Sequence, residues 1–160
     1  MHHVAIRTAD IHRAIAFYEA LGFTVTERFT AGMTLACWME GWQGRLELMQ
    51  VPNPLPPPDP FADEGYVGYY HLSLDLATAP TPAGDDLESR DPSVPLGLPQ
   101  WLAAFQSRIR AAHPGNTALE LPKVLLAPCQ QMIGDRVYEV AFIADPDGMP
   151  IEILSQLTPN

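Results

Sequence analysis

The sequence predicts an α+β fold built from two paired βαβββ modules, and three observations lead there. Two stretches carry apolar residues at helical spacing, each on a single face. One alternating strand precedes each helix and three follow it, so the order of elements repeats although residue identity hardly does. A proline-rich segment separates the two sets, and prolines cannot donate the N–H groups that a sheet interior requires.

HHVAIR alternates around Val4 and Ile6 and reads as the first strand. Asp10 then offers its carboxylate as a helix N-cap. Ile11, Ala14, Ile15, Tyr18 and Leu21 share one helical face, and Gly22 can take the left-handed conformation that ends a helix. FTVTERF, MTLACWM and RLELMQV follow as strands, punctuated by Ala31-Gly32 and the EGWQG turn. The first module is thus expected over residues 1–51, with a connecting loop over 52–68 whose residues 53–68 hold five prolines.

YYHLSLDL resumes alternation and opens the second module, expected over residues 69–157, with a long polar loop at 77–98. Pro99 starts the second helix, Trp101, Leu102, Phe105, Ile109 and Ala112 line its apolar face, and Pro114-Gly115 stops it. VLLAPCQQM, YEVAFIA and PIEILSQL complete the module, with DPDG at 145–148 as a tight turn between the last two.

Composition narrows the function classes. At 160 residues with 47% hydrophobic content, the chain is large enough to bury a core. Nine basic against nineteen acidic residues give a formal net charge of −10, which opposes binding to phosphate backbones and anionic lipid. Nucleic acid and membrane are therefore not expected partners. No run of eighteen apolar residues occurs and MHHVAIRTAD enters a strand directly, so a cytoplasmic location is expected. Cys37 and Cys129 lack CxxC spacing and have no neighbouring histidine or cation in sequence, which favours reduced, non-catalytic thiols.

The chemistry lies in strand register. Successive side chains alternate across a sheet, so placing Leu46 and Leu48 toward the helix leaves Glu47 on the opposite face. By the same reading, His3, Ala5 and Arg7 share that face in the first strand. His71, Ser73 and Asp75 do so in YYHLSLDL, and Glu152 does so between Ile151 and Ile153. The histidines open the first strand of each module and the glutamates lie in the last. If the modules pair about a pseudo-twofold axis, His3, Glu47, His71 and Glu152 can converge. An isolated carboxylate in a half-buried strand costs on the order of several kcal/mol, and a divalent cation removes that penalty. Imidazole with carboxylate suits Ni, Co, Zn, Mn or Fe, and four protein ligands leave positions for substrate. The bland alternatives are a partly buried histidine and a glutamate paired with arginine. His2 shares register with Val4 and is expected toward the helix side or solvent, and His12 and His113 are expected in solvent. Trp38, Trp42 and Met49 could line a pocket or simply pack, and DDLESRD reads as a solvated segment.

The stretches HVAIRTADIHRAIAFYEALGF, YHLSLDL and FIADPDGMPIEIL resemble the vicinal oxygen chelate superfamily, which includes glyoxalase I, extradiol dioxygenases and bleomycin resistance proteins. The resemblance spans nearly the whole chain. It implies a glyoxalase-like fold whose paired modules form a curved sheet around a central cavity, and a homodimer. The ligand pattern is similar to bacterial glyoxalase I, mapping His, Glu, His, Glu onto His3, Glu47, His71 and Glu152. That likeness implies a lactoylglutathione lyase-like, metal-dependent lyase acting on a thiohemiacetal of a 2-oxoaldehyde. In such an enzyme the metal stabilises an enediolate, Glu152 is the expected base with Glu47 as its partner, and Arg7 contacts the substrate. Val51-Pro52 stand where those enzymes carry an asparagine. An acyl-CoA epimerase, an extradiol dioxygenase and a non-catalytic small-molecule binding protein remain as alternatives.

Overall fold

The structure, a computed structural model, describes residues 1–56, 59, 62–63, 65–79, 97–112 and 121–157. The DDLESRD segment, His113 and the Pro114-Gly115 helix stop lie outside the described residues. In chain order the elements are β1 (Val4–Thr8), α1 (Ile11–Leu21), β2 (Thr24–Ala31), β3 (Thr34–Gly41), β4 (Gly44–Gln50), β5 (Leu72–Asp75), α2 (Leu98–Ala112), β6 (Val124–Ile133), β7 (Arg136–Ala144) and β8 (Pro150–Gln156). They form two four-stranded mixed sheets of matching order, β1-β4-β3-β2 and β5-β8-β7-β6. In each sheet the first strand runs parallel to the last, and the remaining pairs are antiparallel. This is the paired βαβββ arrangement, with each sheet left open.

Local chemistry explains the helices. Asp10 sits in extended conformation and its carboxylate accepts from the N–H groups of His12 and Arg13, satisfying donors that the first turn leaves free. Gly22, at φ 104°, ends α1 in the left-handed region. α2 begins at Leu98, one residue earlier than Pro99. Its first N–H donates to the Glu139 carboxylate of β7 at 2.9 Å, a cap supplied from another element and invisible to local spacing. Ala112, expected on the buried face, is exposed in the last turn of α2.

The fifth strand is shorter than its alternating sequence. After Asp75 the chain turns into a single 3-10 turn, Leu76–Thr78, because the Asp75 carboxylate accepts from the Ala77 N–H and holds the backbone there.

One core joins both modules. Ile11, Ile15, Tyr18 and Leu21 of α1 cluster with Leu46 and Leu48 of β4, Trp101, Phe105 and Ile109 of α2, and Ile151 and Ile153 of β8. The two helices meet inside it. Phe17 and Phe105 pack edge to face at 5.6 Å, and Arg108 of α2 donates from Nε to the Ala20 carbonyl near the end of α1 at 2.9 Å. The helix-bearing sides of both sheets thus face the shared core, and the opposite sheet faces turn away from it.

Polar groups lock the modules together at one end. Thr8 Oγ1, buried at the end of β1, donates to Asp147 Oδ2 at 2.5 Å, and the Ala9 N–H donates to Asp147 Oδ1 at 3.1 Å. Beside them Asp145 accepts from the Asp147 and Met149 N–H groups and from the Tyr18 hydroxyl at 3.2 Å. Burial pushes the Asp145 carboxyl above its ordinary range. The Tyr18 phenol is raised well above its own, by burial first and by the neighbouring Asp145 second.

Candidate functional site

Each sheet carries one imidazole–carboxylate pair on the face turned from the core. His3 precedes β1, Glu47 lies in β4 between the buried Leu46 and Leu48, and His3 Nε2 stands 2.9 Å from Glu47 Oε2. His71 precedes β5, Glu152 lies in β8 between the buried Ile151 and Ile153, and His71 Nε2 stands 3.3 Å from Glu152 Oε2. The glutamates are well shielded, with side chains 15% and 14% exposed, yet both pairs remain open to solvent on one side.

Register makes the two pairs equivalent. Across the first sheet Ala5, Glu47 and Trp38 stand opposite one another, and across the second Ser73, Glu152 and Phe142 do. Alternation on the strands therefore places each carboxylate beside an aromatic ring on its own face. The Trp38 ring lies 6.4 Å from that of His3. The Phe142 ring lies edge-on to His71 at 5.1 Å, with Tyr70 edge-on to His71 at 4.8 Å.

Within one chain the four expected ligands come together as two pairs. Among the described residues no group of three or more His, Cys, Asp or Glu is placed to hold one ion. The cause is the shared core: the modules join helix to helix, which turns both pair-bearing faces outward. Arg7 is exposed in β1, opposite Met49, and has no acidic partner among the described residues.

Several contributors were not assigned a role from sequence. His2 is exposed as expected, yet its Nδ1 meets His3 Nδ1 at 2.9 Å and its Nε2 meets Arg45 Nη1 at 2.9 Å. Arg45 also pairs with Glu40 and lies over the Trp38 ring at 5.3 Å. Ser73 donates to Glu152 Oε2 at 2.5 Å. Its place on the face was readable from alternation, whereas its bond required the pairing of β5 with β8. Among the described residues, the indole N–H of Trp38 and Nδ1 of His71 are buried without a hydrogen-bond partner. Trp42, by contrast, is a core residue that donates from Nε1 to the Leu21 carbonyl at 2.9 Å. Cys37 is fully buried, which raises its thiol pKa and suits a packed, un-ionised group.

Solved structures share this architecture. A glyoxalase family protein from Enterococcus faecalis superposes with a TM-score of 0.62 at 17% identity, covering 96% of this chain and 95% of that one. One from Bacillus cereus gives 0.61 at 16% identity, covering 99% and 94%. A bleomycin-binding protein in complex with bleomycin gives 0.50 at 21% identity, covering 97% of each chain. At these identities the likeness concerns the fold. No curated protein sequence matches the chain. Among the described residues, no helix is long and apolar enough to cross a membrane. The family model described as Glyoxalase/Bleomycin resistance protein/Dioxygenase superfamily matches residues 1–153, and the chain belongs to that superfamily.

Proposed function

We propose that this protein is a divalent-metal-dependent lyase or isomerase of the glyoxalase I type, acting on the thiohemiacetal of a 2-oxoaldehyde. The observation that carries the reading is the register-matched repetition of one imidazole–carboxylate pair on both sheets. Two ligands at right angles on one cation, with bonds of about 2.1 Å, are separated by roughly 3 Å. The 2.9 and 3.3 Å separations fit such an edge, and the donors suit Ni, Co, Zn, Mn or Fe. Among the described residues, His71 Nδ1, on the ring edge away from Glu152, is buried without a hydrogen-bond partner. Since each chain presents its pairs outward, a homodimer in which the His3–Glu47 pair of one copy meets the His71–Glu152 pair of the other completes a four-ligand site.

A bound cation supplies Lewis acidity toward the vicinal oxygens of the substrate. The chain does the rest. The aromatic rings of Trp38, Tyr70 and Phe142 flank the pairs, Arg7, without an acidic partner among the described residues, offers a guanidinium to an anionic part of the substrate, and a glutamate moves a proton between adjacent carbons. The free thiols of Cys37, buried, and Cys129, partly exposed, agree with a cytoplasmic setting.

Complementation tests the reading. One variant loses its first pair (His3→Ala with Glu47→Ala) and another its second (His71→Ala with Glu152→Ala); each alone should be inactive on methylglyoxal with glutathione. Mixing and refolding them should restore about one intact site per mixed dimer. Full-length protein that takes up none of the five metals, or a mixture that regains no activity, would remove the proposal. A ligand-induced thermal shift without turnover would instead favour a binding protein, like the bleomycin-binding neighbour.

A further inference from the structure

The outward faces of the two sheets match position for position, yet the chain supplies a cation to only one of them. Glu47 and Glu152 stand opposite Trp38 and Phe142; two residues before them on the same strands, Arg45 and Pro150 stand opposite Glu40 and Ala144. His2 and Tyr70 immediately precede the two paired histidines. On the first sheet a guanidinium joins these positions: Arg45 lies over the Trp38 ring at 5.3 Å, donates from Nε to Glu40 Oε1 at 2.9 Å, and reaches His2 Nε2 from Nη1 at 2.9 Å. An aromatic face, a carboxylate and a second ring thus hold an organic cation there, and the cation is the chain's own.

On the second sheet the aromatic and acidic groups are kept. The Tyr70 and Phe142 rings lie 6.3 Å apart and 37° from parallel, and Tyr70 is 42% exposed. Glu152 Oε2 meets both Ser73 and His71, while Oε1 has no partner among the described residues. Pro150 and Ala144, standing where the first sheet has Arg45 and Glu40, bring no charge. Lys123 flanks Ala144, whose N–H donates to its carbonyl at 2.8 Å, and among the described residues its side chain pairs with no carboxylate and lies over no ring. We propose that the His71–Glu152 face binds the guanidinium or ammonium end of a small organic molecule, laid against the exposed Tyr70 ring and paired with Glu152 Oε1. The net charge of −10 draws such a cation toward the chain. This goes beyond the metal-dependent reading and does not rest on it, because the recognition is by ring and carboxylate alone.

The test titrates the full chain, with a chelator present, with butylguanidinium and with its neutral isostere butylurea, and follows the protein resonances by NMR. Butylguanidinium should give saturable shifts at Tyr70, His71 and Ser73, and butylurea should bind at least about 10-fold more weakly. Glu152→Gln should weaken butylguanidinium about 10-fold. Tyr70→Leu should weaken it roughly 2- to 5-fold, and Tyr70→Phe, which keeps the ring, should bind as wild type does. The first sheet supplies a second readout. Arg45→Ala removes the internal guanidinium from a side chain that is 29% exposed, and this variant should take up butylguanidinium beside Trp38 as well, shifting the indole N–H resonance. The spectrum of each variant reports its fold in the same experiment. Equal affinity for the two probes, unchanged butylguanidinium binding in Glu152→Gln, or saturable shifts confined to residues away from Tyr70 and His71 overturns the inference. An Arg45→Ala chain that takes no probe at Trp38 removes the internal precedent, and the inference with it.

Discussion

Replacing Thr8 by Val should loosen the joint between the modules by an amount that the structure sets. The substitution keeps shape and removes only the hydroxyl, which donates to Asp147 Oδ2 at 2.5 Å across 139 positions of sequence. A hydrogen bond to a charged group contributes about 1.5–3 kcal/mol. Asp147 is half-buried and keeps its bond from the Ala9 N–H, so the low end applies. Thr8 Oγ1 also meets the backbone of Asp10 at 3.2 and 3.3 Å, and those contacts vanish with it. A double-mutant cycle with Asp147→Ala separates the cross-module bond from these local losses. We expect Thr8→Val to cost about 1.5–2 kcal/mol, lowering Tm by roughly 3–8 °C for a domain of this size, with a coupling to Asp147 of about 1 kcal/mol or more. Urea unfolding of the four proteins measures both. Because one core runs through both modules, a single cooperative transition is expected throughout. Coupling below about 0.5 kcal/mol, the usual error of additivity, would show that the joint is held by packing alone.

Asp145 should impose a pH dependence. Burial raises its carboxyl in the folded state, so the folded chain holds the proton more tightly than the unfolded one. Its contribution is then fully present below the unfolded carboxyl value, about 3.9, and is lost as pH rises through the raised folded value. Asp145→Asn should flatten this decline in Tm across mildly acidic pH, and an unchanged slope in the variant would count against the assignment. The β3–β4 turn offers a gain. Gln43 is exposed at φ 58°, a conformation that costs a side chain about 1 kcal/mol, so Gln43→Gly should raise Tm by roughly 2–4 °C, and a lower Tm would contradict the strain. Gly41→Ala should do the opposite, since a Cβ there meets the Gly22 carbonyl oxygen at 2.9 Å and Phe23 Cα at 3.0 Å; melting measured as for wild type would refute the close approach. Imidazole ¹⁵N shifts of metal-free protein should place the His3 proton on Nε2; a proton on Nδ1 would break the chain of donors from Arg45 through His2 and His3 to Glu47.

Local patterns made much of this fold legible, because they depend on neighbours in sequence. Leu46 and Leu48 around Glu47, and Ile151 and Ile153 around Glu152, announce which face is buried through alternation alone. The α1 face and the Asp10 cap follow from spacing and side-chain chemistry in the same way. What alternation cannot state is which way a face turns once the modules dock. Convergence of His3, Glu47, His71 and Glu152 was expected from a pseudo-twofold axis, and the helix-to-helix core gives two outward pairs in one chain. The Leu98 cap from Glu139 and the Ser73 bond to Glu152 escaped for a related reason, since helix docking creates the first and strand pairing the second, and neither follows from spacing. Trp42 was ambiguous because a turn residue at φ 50° has no periodicity to read, and its burial is set by Leu21 and Trp101.

The first pair also sits at the end of a directed chain of donors. A guanidinium only donates, so the 2.9 Å contact from Arg45 Nη1 makes His2 Nε2 an acceptor. The His2 proton then lies on Nδ1 and can only be given to His3 Nδ1, 2.9 Å away. His3 in turn holds its proton on Nε2, where Glu47 Oε2 accepts it at 2.9 Å. Every contact is satisfied in this one direction, which explains how an imidazole and a carboxylate share a half-exposed face without a cation. The same logic limits ligation. For Nε2 of His3 to hold a metal its proton must leave or move to Nδ1, and a proton on Nδ1 faces the one on His2. His2 must then release either His3 or Arg45. At the second pair a metal on Nε2 would leave the ring proton on His71 Nδ1, which is buried without an acceptor among the described residues. The two pairs therefore meet different obstacles to holding a cation: the His3–Glu47 pair would have to rearrange its chain of donors, and the His71–Glu152 pair would bury an unpaired ring N–H.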